Sequence, residues 1–287
     1  MKRIAIQRCC STPVLLKQYE TSTDSVLRRL GVEPVDIQNF GCCGYPLRTF
    51  DLEAYLACSA KNISLAEKEG LQVLTFCNGC YLSLRQAYHY LKNDDNVKAG
   101  TNAILAQDGL VFRGTTEIVH LLHFLISIKE KIHDSITSHL KGLKVATHYG
   151  CQLMRPREVV DFTQHKPPLF FDELVEITGA ESISWAAKQD CCGAPIYGLN
   201  PDISTRLLVK KILNAKEAGA SLLCIACPFC QLQFDHVQHR LLAEGRLDQG
   251  LPCILYTQLL GLALGLDEEA LGIQKNKIDL TWIKDFL

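Results

Sequence analysis

The stretch VLTFCNGCYLSL, residues 73–84, places Cys77 and Cys80 in a Cys-x-x-Cys spacing directly after an apolar run, and LLCIACPFCQLQ, residues 222–233, does the same with Cys227 and Cys230. An apolar run of strand length ending this way reads as a buried strand feeding a helix, and Pro228 suits the first turn of such a helix. One Cys-x-x-Cys alone fits a dithiol redox centre, a zinc knuckle or an iron–sulfur ligand pair. The remaining cysteines narrow the choice.

They fall into two sets: Cys9, Cys10, Cys42, Cys43, Cys77 and Cys80, then Cys151, Cys191, Cys192, Cys227 and Cys230. Cys191 follows Cys42 by 149 positions, and Cys227 and Cys230 follow Cys77 and Cys80 by 150. The flanking residues repeat as well, with Cys42-Cys43-Gly44-Tyr45-Pro46 answered by Cys191-Cys192-Gly193-Ala194-Pro195, and AKNISLAEKEG (60–70) answered by KKILNAKEAG (210–219). This is an internal duplication.

Each half reads as an α/β unit. Ile4 and Ile6 mark a first strand, a helix runs to the breaker Gly31, and VEPVDI (32–37) leads as a strand into the Cys-Cys loop. Asp51 suits the N-cap of a helix with Leu52, Tyr55, Leu56 and Ile63 on one face, ending at Gly70, and Leu71–Phe76 is the strand before the Cys-x-x-Cys. Cysteines placed after strands lie where open α/β sheets put their sites. The fold class expected is therefore α/β, two tandem pseudo-symmetric domains with cluster-binding loops at strand ends. KNDDNVKAGTNAILAQDGLVFRGTT, beginning at Lys92, reads as a polar stretch between the halves, Glu117–Leu140 as helical, and the domains as 1–140 and 141–287, the second with a C-terminal extension.

Composition excludes several roles. With 287 residues, 47% hydrophobic, the chain can bury a sizeable core without staples. Thirty Lys and Arg against 31 Asp and Glu leave no net field for nucleic acid or an anionic membrane. MKRIAIQRCC lacks the apolar core of a signal peptide, so a cytoplasmic protein is expected. ILYTQLLGLALGL (254–266) is too short and too polar to span a bilayer, and reads as a buried helix or strand pair. Fourteen cysteines in a large, reducing-compartment chain point to metal or redox chemistry rather than a disulfide framework. A thioredoxin-type centre leaves three thiols per half idle. Five exceed what tetrahedral zinc takes, and a surplus of soft thiolates suits iron–sulfur clusters.

The twice-repeated cysteine skeleton, CCGYP and CCGAP, SAKNISLAEKEG, FCNGCY, HYGCQLMRP from His148 and TQLLGLALGL (257–266) together resemble the CCG-domain family, in particular the B subunits of heterodisulfide reductases and their relatives. The resemblance covers nearly the whole chain. It implies two 4Fe-4S clusters of the non-cubane type, the first on Cys10, Cys42, Cys43, Cys77 and Cys80, the second on Cys151, Cys191, Cys192, Cys227 and Cys230, with Cys43 and Cys192 as catalytic residues. The family's Cys-x-x-Pro start fits Cys10-Ser11-Thr12-Pro13, which favours Cys10 as first ligand, with its neighbour Cys9 as the alternative. The interval between Cys43 and Cys77 is shorter than the family's, which bears on the substrate mouth.

The activity implied is reduction of a small-molecule disulfide to two thiols. That takes two electrons, and two one-electron centres in a duplicated chain meet the need. No G-x-G-x-x-G follows a strand, so electrons must come from partners, which the resemblance supplies as a flavin-containing protein of the A-subunit type and a ferredoxin-like protein of the C-subunit type. The alternative is a CCG-type electron-transfer subunit, as in glycolate or lactate oxidation, without disulfide chemistry. Cys58, Cys224 and Cys253 read as buried inert thiols, His148 as a packing residue or a donor near the second set, and His120 and His123 as core residues on a helix.

Overall fold

The computed structural model describes residues 1–160 and 169–287, and builds two four-stranded parallel sheets. The first contains β1 (Lys2–Gln7), β2 (Val32–Val35), β3 (Val73–Thr75) and β4 (Ile118–His120) in the order β2-β1-β3-β4. The second contains β5 (Lys144–His148), β6 (Glu181–Ile183), β7 (Leu222–Ile225) and β8 (Cys253–Leu255) in the corresponding order β6-β5-β7-β8. The halves are thus tandem α/β domains of one topology. β3 and β7 are buried along their whole length, as the continuous apolar runs require of parallel strands covered on both faces.

The register fixes how the repeats correspond. Gln7 pairs with Thr75, and His148 pairs with Ile225. Thr75 and Ile225 each stand two residues before a Cys-x-x-Cys, so Gln7 corresponds to His148 and Cys10 to Cys151.

The helices that carry the loops form for local reasons. Asp51 caps Leu52–Lys68 by accepting from the Ala54 amide at 2.9 Å, and Asn200 caps Pro201–Glu217 through the Ile203 amide at 3.0 Å. Tyr55, Leu56 and Ile63 are buried on the first of these, whereas Leu52 lies outside the expected apolar face and is exposed.

Two compact units result, and neither is continuous in sequence. The first comprises Met1–Cys10, Gly31–Phe124 and the stretch from Gln152 to Val160; the second comprises Ser11–Leu30, Leu125–Cys151 and the described residues from Leu169 onward. The segment after the first strand of each repeat therefore joins the unit built by the other repeat. In the second unit the helix Lys17–Arg29 buries Tyr19, Val26 and Leu27, and Ser22 and Thr257 share a 2.6 Å hydroxyl–hydroxyl bond. In the first unit Tyr81 and Arg85 donate to the carbonyls of Val160 and Val159 at 3.0 Å each.

Two local expectations differ from what is observed. Glu117–Leu140 is not one helix: Ile118–His120 is strand β4, paired with β3, and helices follow at Leu121–Ser127 and Lys129–Ser135. The run VHLLHFL satisfies either period when both faces are buried, and the open edge of β3 decides in favour of strand. The polar stretch from Lys92 contains a helix, Asp95–Leu105, started by Asp94, whose carboxylate accepts from the Asn96 and Val97 amides. The apolar run 254–266 holds the end of β8 and then the buried helix Tyr256–Ala263.

Both Cys-Cys loops turn on a glycine in the left-handed region, Gly44 at φ 80° and Gly193 at φ 87°. A Cβ on Gly44 would stand 2.8 Å from the Tyr55 carbonyl oxygen, and one on Gly193 would stand 2.8 Å from that of Ser204. Gly44→Ala is expected to destabilise the metal-free chain by about 1–3 kcal/mol, from the φ penalty with the clash added, measured by urea denaturation. An unchanged midpoint would show that the turn does not require glycine.

Candidate metal centres

In the first unit every cysteine of the first set lies after the carboxyl end of a strand. Cys9 and Cys10 follow β1, Cys42 and Cys43 lie on the loop after β2, Cys77 occupies the N-cap position of the helix Asn78–Asn93 that follows β3, and Cys80 sits in its first turn. The sulfurs of Cys9, Cys77 and Cys80 lie within 4.8 Å of one another. Cys43 is hydrogen-bonded by Cys42 and Cys80, and Cys10 adjoins Cys9 and lies within electrostatic reach of Cys43. Cys43, Cys77, Cys80 and Cys9 are buried, while Cys10 and Cys42 are exposed.

Asn62, fully buried on the helix Leu52–Lys68, holds this loop. Its side-chain oxygen accepts from the Gly41 amide at 2.9 Å, and its amide donates to the carbonyls of Gly41 and Cys42. Ser59 adds a 2.7 Å bond to the Cys43 carbonyl.

The second unit repeats the plan. Cys151 follows β5, Cys191 and Cys192 follow β6, and Cys227 occupies the N-cap position of the helix Pro228–Gln231, which contains Cys230. Cys230 and Cys192 approach to 3.4 Å, Cys151 and Cys192 are hydrogen-bonded to Cys191, and Cys227 to Cys230. His148 brings its Nε2 to 3.3 Å from the Cys230 sulfur. Burial holds that imidazole neutral, well below its usual pKa, with the nearby Lys211 cation acting in the same direction.

Each set stabilises one thiolate at the expense of its neighbours. In the first, hydrogen bonds from Cys42 and then Cys80 bring Cys43 down to about 4, while Cys42 and Cys80, as the donors, are pushed up. In the second, bonds from Cys151 and then Cys192 bring Cys191 down to about 2, and Cys192 rises to about 12. Thiolate is the form that binds metal.

The structure thus gathers Cys10, Cys42, Cys43, Cys77 and Cys80 in one place and Cys151, Cys191, Cys192, Cys227 and Cys230 in another. Cys9, which the sequence places in the first set beside Cys10 and ranks behind it as first ligand, is buried, and its sulfur joins those of Cys77 and Cys80. Cys58 departs from expectation, being only partly buried and lying against the Gly44 turn, because its helix presents that position to the loop rather than to the core. Cys224 and Cys253, on adjacent strands β7 and β8, are fully buried. His120 ends β4 rather than sitting on a helix with His123, and both rings pack edge-on against Tyr81.

All 14 cysteines are free thiols. Groups of five or six soft sulfur donors, thiolate-stabilised at a sheet edge, suit an iron–sulfur cluster and exceed tetrahedral zinc.

Comparison with known proteins agrees. The CCG cysteine-rich domain family matches residues 4–85 and 145–235. The B subunit of the ferredoxin/F420H2-dependent CoB-CoM heterodisulfide reductase of Methanosarcina acetivorans is 39% identical, over 97% of this chain and 94% of its own length. The chain belongs to the CCG family, in the branch of the heterodisulfide reductase B subunits. The 8-methylmenaquinol:fumarate reductase membrane anchor subunit of Wolinella succinogenes is 32% identical over 92% of this chain and 93% of its own. A hypothetical protein from Helicobacter pylori shares the fold, with a TM-score of 0.77 at 17% identity; the match covers 98% of this chain and 53% of that one.

This member of the branch is accordingly an iron–sulfur oxidoreductase subunit, of a family that acts on sulfur groups within complexes of several proteins. Among the described residues no helix is long and apolar enough to cross a membrane. Protein made and purified without oxygen is expected to contain iron and acid-labile sulfide; zinc with no labile sulfide would contradict the assignment.

Proposed function

We propose that this chain reduces a small-molecule disulfide to two thiols, consuming two electrons and two protons per bond broken, with two non-cubane 4Fe-4S clusters held by its two cysteine sets. The observation that carries the reading is that two complete five-thiol sets occur at matching register, one per repeat, where a disulfide needs two electrons and each centre handles one. The ligands proposed are Cys10, Cys42, Cys43, Cys77 and Cys80, and Cys151, Cys191, Cys192, Cys227 and Cys230. The clusters, when bound, supply one-electron carriers and iron able to take a thiolate sulfur.

The protein's own residues do the rest. Asn62 and Ser59 fix the first Cys-Cys loop, and Ser204, which donates to the Gly193 carbonyl at 2.9 Å, fixes the second. Cys43 and Cys192, buried at 5% and 4% exposure, are the catalytic residues of the pairs, held out of water. Exposed Cys10 and Cys42, and partly exposed Cys151 and Cys191, form the accessible side by which a substrate sulfur approaches each set. Electrons come from a flavin-containing partner of the A-subunit type and a ferredoxin-like partner of the C-subunit type, and the complex works in the cytoplasm. The second reading is an electron relay without disulfide chemistry, favoured by the similarity to a protein named for fumarate reduction.

Holoprotein is expected to carry about eight irons per chain. Cys10→Ser should lose about half of them, because Cys10 is the register equivalent of Cys151, whereas Cys9→Ser should retain them; equal loss from both would place Cys9 in the ligand set.

Cys43→Ser and Cys192→Ser should each abolish disulfide reduction by a reduced one-electron donor, even where the other set keeps its iron and its paramagnetic signal. The double variant should be little worse than either single one. Near-normal turnover in one single variant would leave the chemistry to one centre and favour the relay.

A further inference from the structure

The two cysteine sets are equivalent by repeat, but the residue beneath each Cys-Cys loop is not. Lys211 follows Asn62 by the same 149 positions that separate Cys191 from Cys42, within the matched segments KKILNAKEAG and AKNISLAEKEG. Both side chains perform one mechanical task. Asn62 holds the Gly41 and Cys42 carbonyls, and Lys211 Nζ donates to the Ala187 carbonyl and, at 3.1 Å, to that of Asp190, the residue before Cys191. Asn62 does this with a neutral amide and Lys211 with a cation.

That cation is 2% exposed. It lies 4.6 Å from the centroid of the Trp185 ring, and among the described residues no carboxylate pairs with it. Lys188, by contrast, is neutralised by Asp172 at 2.6 Å. Burial lowers the Lys211 pKa to about 8, against which Asp190, Cys192, Cys230 and Cys191 hold it up. It therefore remains a cation at neutral pH, within electrostatic reach of the Asp190 carboxylate first and then of the thiols of Cys192, Cys230 and Cys191.

Nothing comparable lies buried beneath the first set among the described residues. Arg8 is paired with Asp36 at 2.7 Å, and Arg48 lies on the surface over the Tyr45 ring. In the second repeat Arg240 likewise lies on the surface, over the Tyr197 ring. The first set also gathers a sixth sulfur, Cys9, at the position where the second repeat has Gly150. A buried cation beside one set favours an added electron there, and the set without one lacks that stabilisation.

We propose that Lys211 makes the two repeat-related centres electrostatically unequal, so that the first electron given to this chain rests on the centre of Cys151, Cys191, Cys192, Cys227 and Cys230. This rests on the two-cluster reading above. Lys211 acts as a positioning and charge-setting residue and does not touch substrate.

The test is a redox titration of anaerobic holoprotein, using dithionite and mediators, each centre taking one electron, followed by electron paramagnetic resonance. The wild type should show two midpoints, and the higher should be the one missing from Cys192→Ser. Lys211→Gln, which keeps a donor for the carbonyls but no charge, should lower the higher midpoint alone by about tenfold in the reduced-to-oxidised ratio, 59 mV for one electron. Lys211→Arg should restore it, and Asn62→Lys should raise the lower midpoint.

Unshifted midpoints in Lys211→Gln at full iron content overturn the proposal. If Lys211→Gln loses iron, Asn62→Lys decides: a raised lower midpoint supports the charge role, and an unchanged one at full iron content overturns it. A wild type without labile sulfide overturns the cluster reading instead.

Discussion

Everything in this molecule depends on crowding five or more thiols at one end of a parallel sheet without forming a disulfide. Strands that run in one direction deliver all their carboxyl ends to the same edge, so three loops from one small sheet can meet there. The order β2-β1-β3-β4 places the cysteine-bearing strands β1, β2 and β3 side by side, and β6-β5-β7-β8 repeats this. The shared proton problem follows directly: adjacent thiols cannot all ionise, and each set resolves it by bonding several donors to one thiolate, Cys43 in one and Cys191 in the other.

The turn that makes the crowding possible is backbone-limited. Two consecutive cysteines would normally point to opposite sides of an extended chain. Here the following glycine enters the left-handed region, and the carbonyls of the next helix, at Tyr55 and Ser204, leave no room for a Cβ on it. In each repeat the amide of that glycine also donates to the sulfur of the first cysteine, Cys42 or Cys191, at 3.4 Å. The Cys-Cys-Gly tripeptide is thus a conformational requirement before it is a ligand pattern.

What sequence could reveal and what it could not divide along the same line. Contacts set by neighbours along the chain were legible: the Asp51 cap, Pro228 in its first turn, and the strand from Val73 to Thr75. The spacing of the cysteines carried the duplication, and with it the tandem α/β fold. Features decided by distant partners were not. The run around His120 became a strand because β3 offered an edge, and the helix Lys17–Arg29 is amphipathic whichever unit receives its apolar face, so no local signal announced that residues 11–30 pack with the second repeat. The Cys-x-x-Pro start already ranked Cys10 ahead of Cys9, but that Cys10 is the counterpart of Cys151 follows only from the strand register.

Duplication explains why the two halves share a frame, and divergence within the frame explains why they need not share a potential. A position that must satisfy two loop carbonyls can be filled by an amide or an ammonium, and the hydrogen-bonding requirement does not distinguish them. The choice is therefore left to whatever else the site demands, and at Asn62 and Lys211 the repeats have chosen differently. Burying an ammonium is costly unless negative charge lies close by. A lysine kept at 2% exposure with no carboxylate partner among the described residues implies that its surroundings supply that charge, and the neighbouring groups it feels most are Asp190 and the thiols of Cys192, Cys230 and Cys191. The charge that offsets Lys211 is thus shared between the Asp190 carboxylate and the sulfur ligands of the second centre.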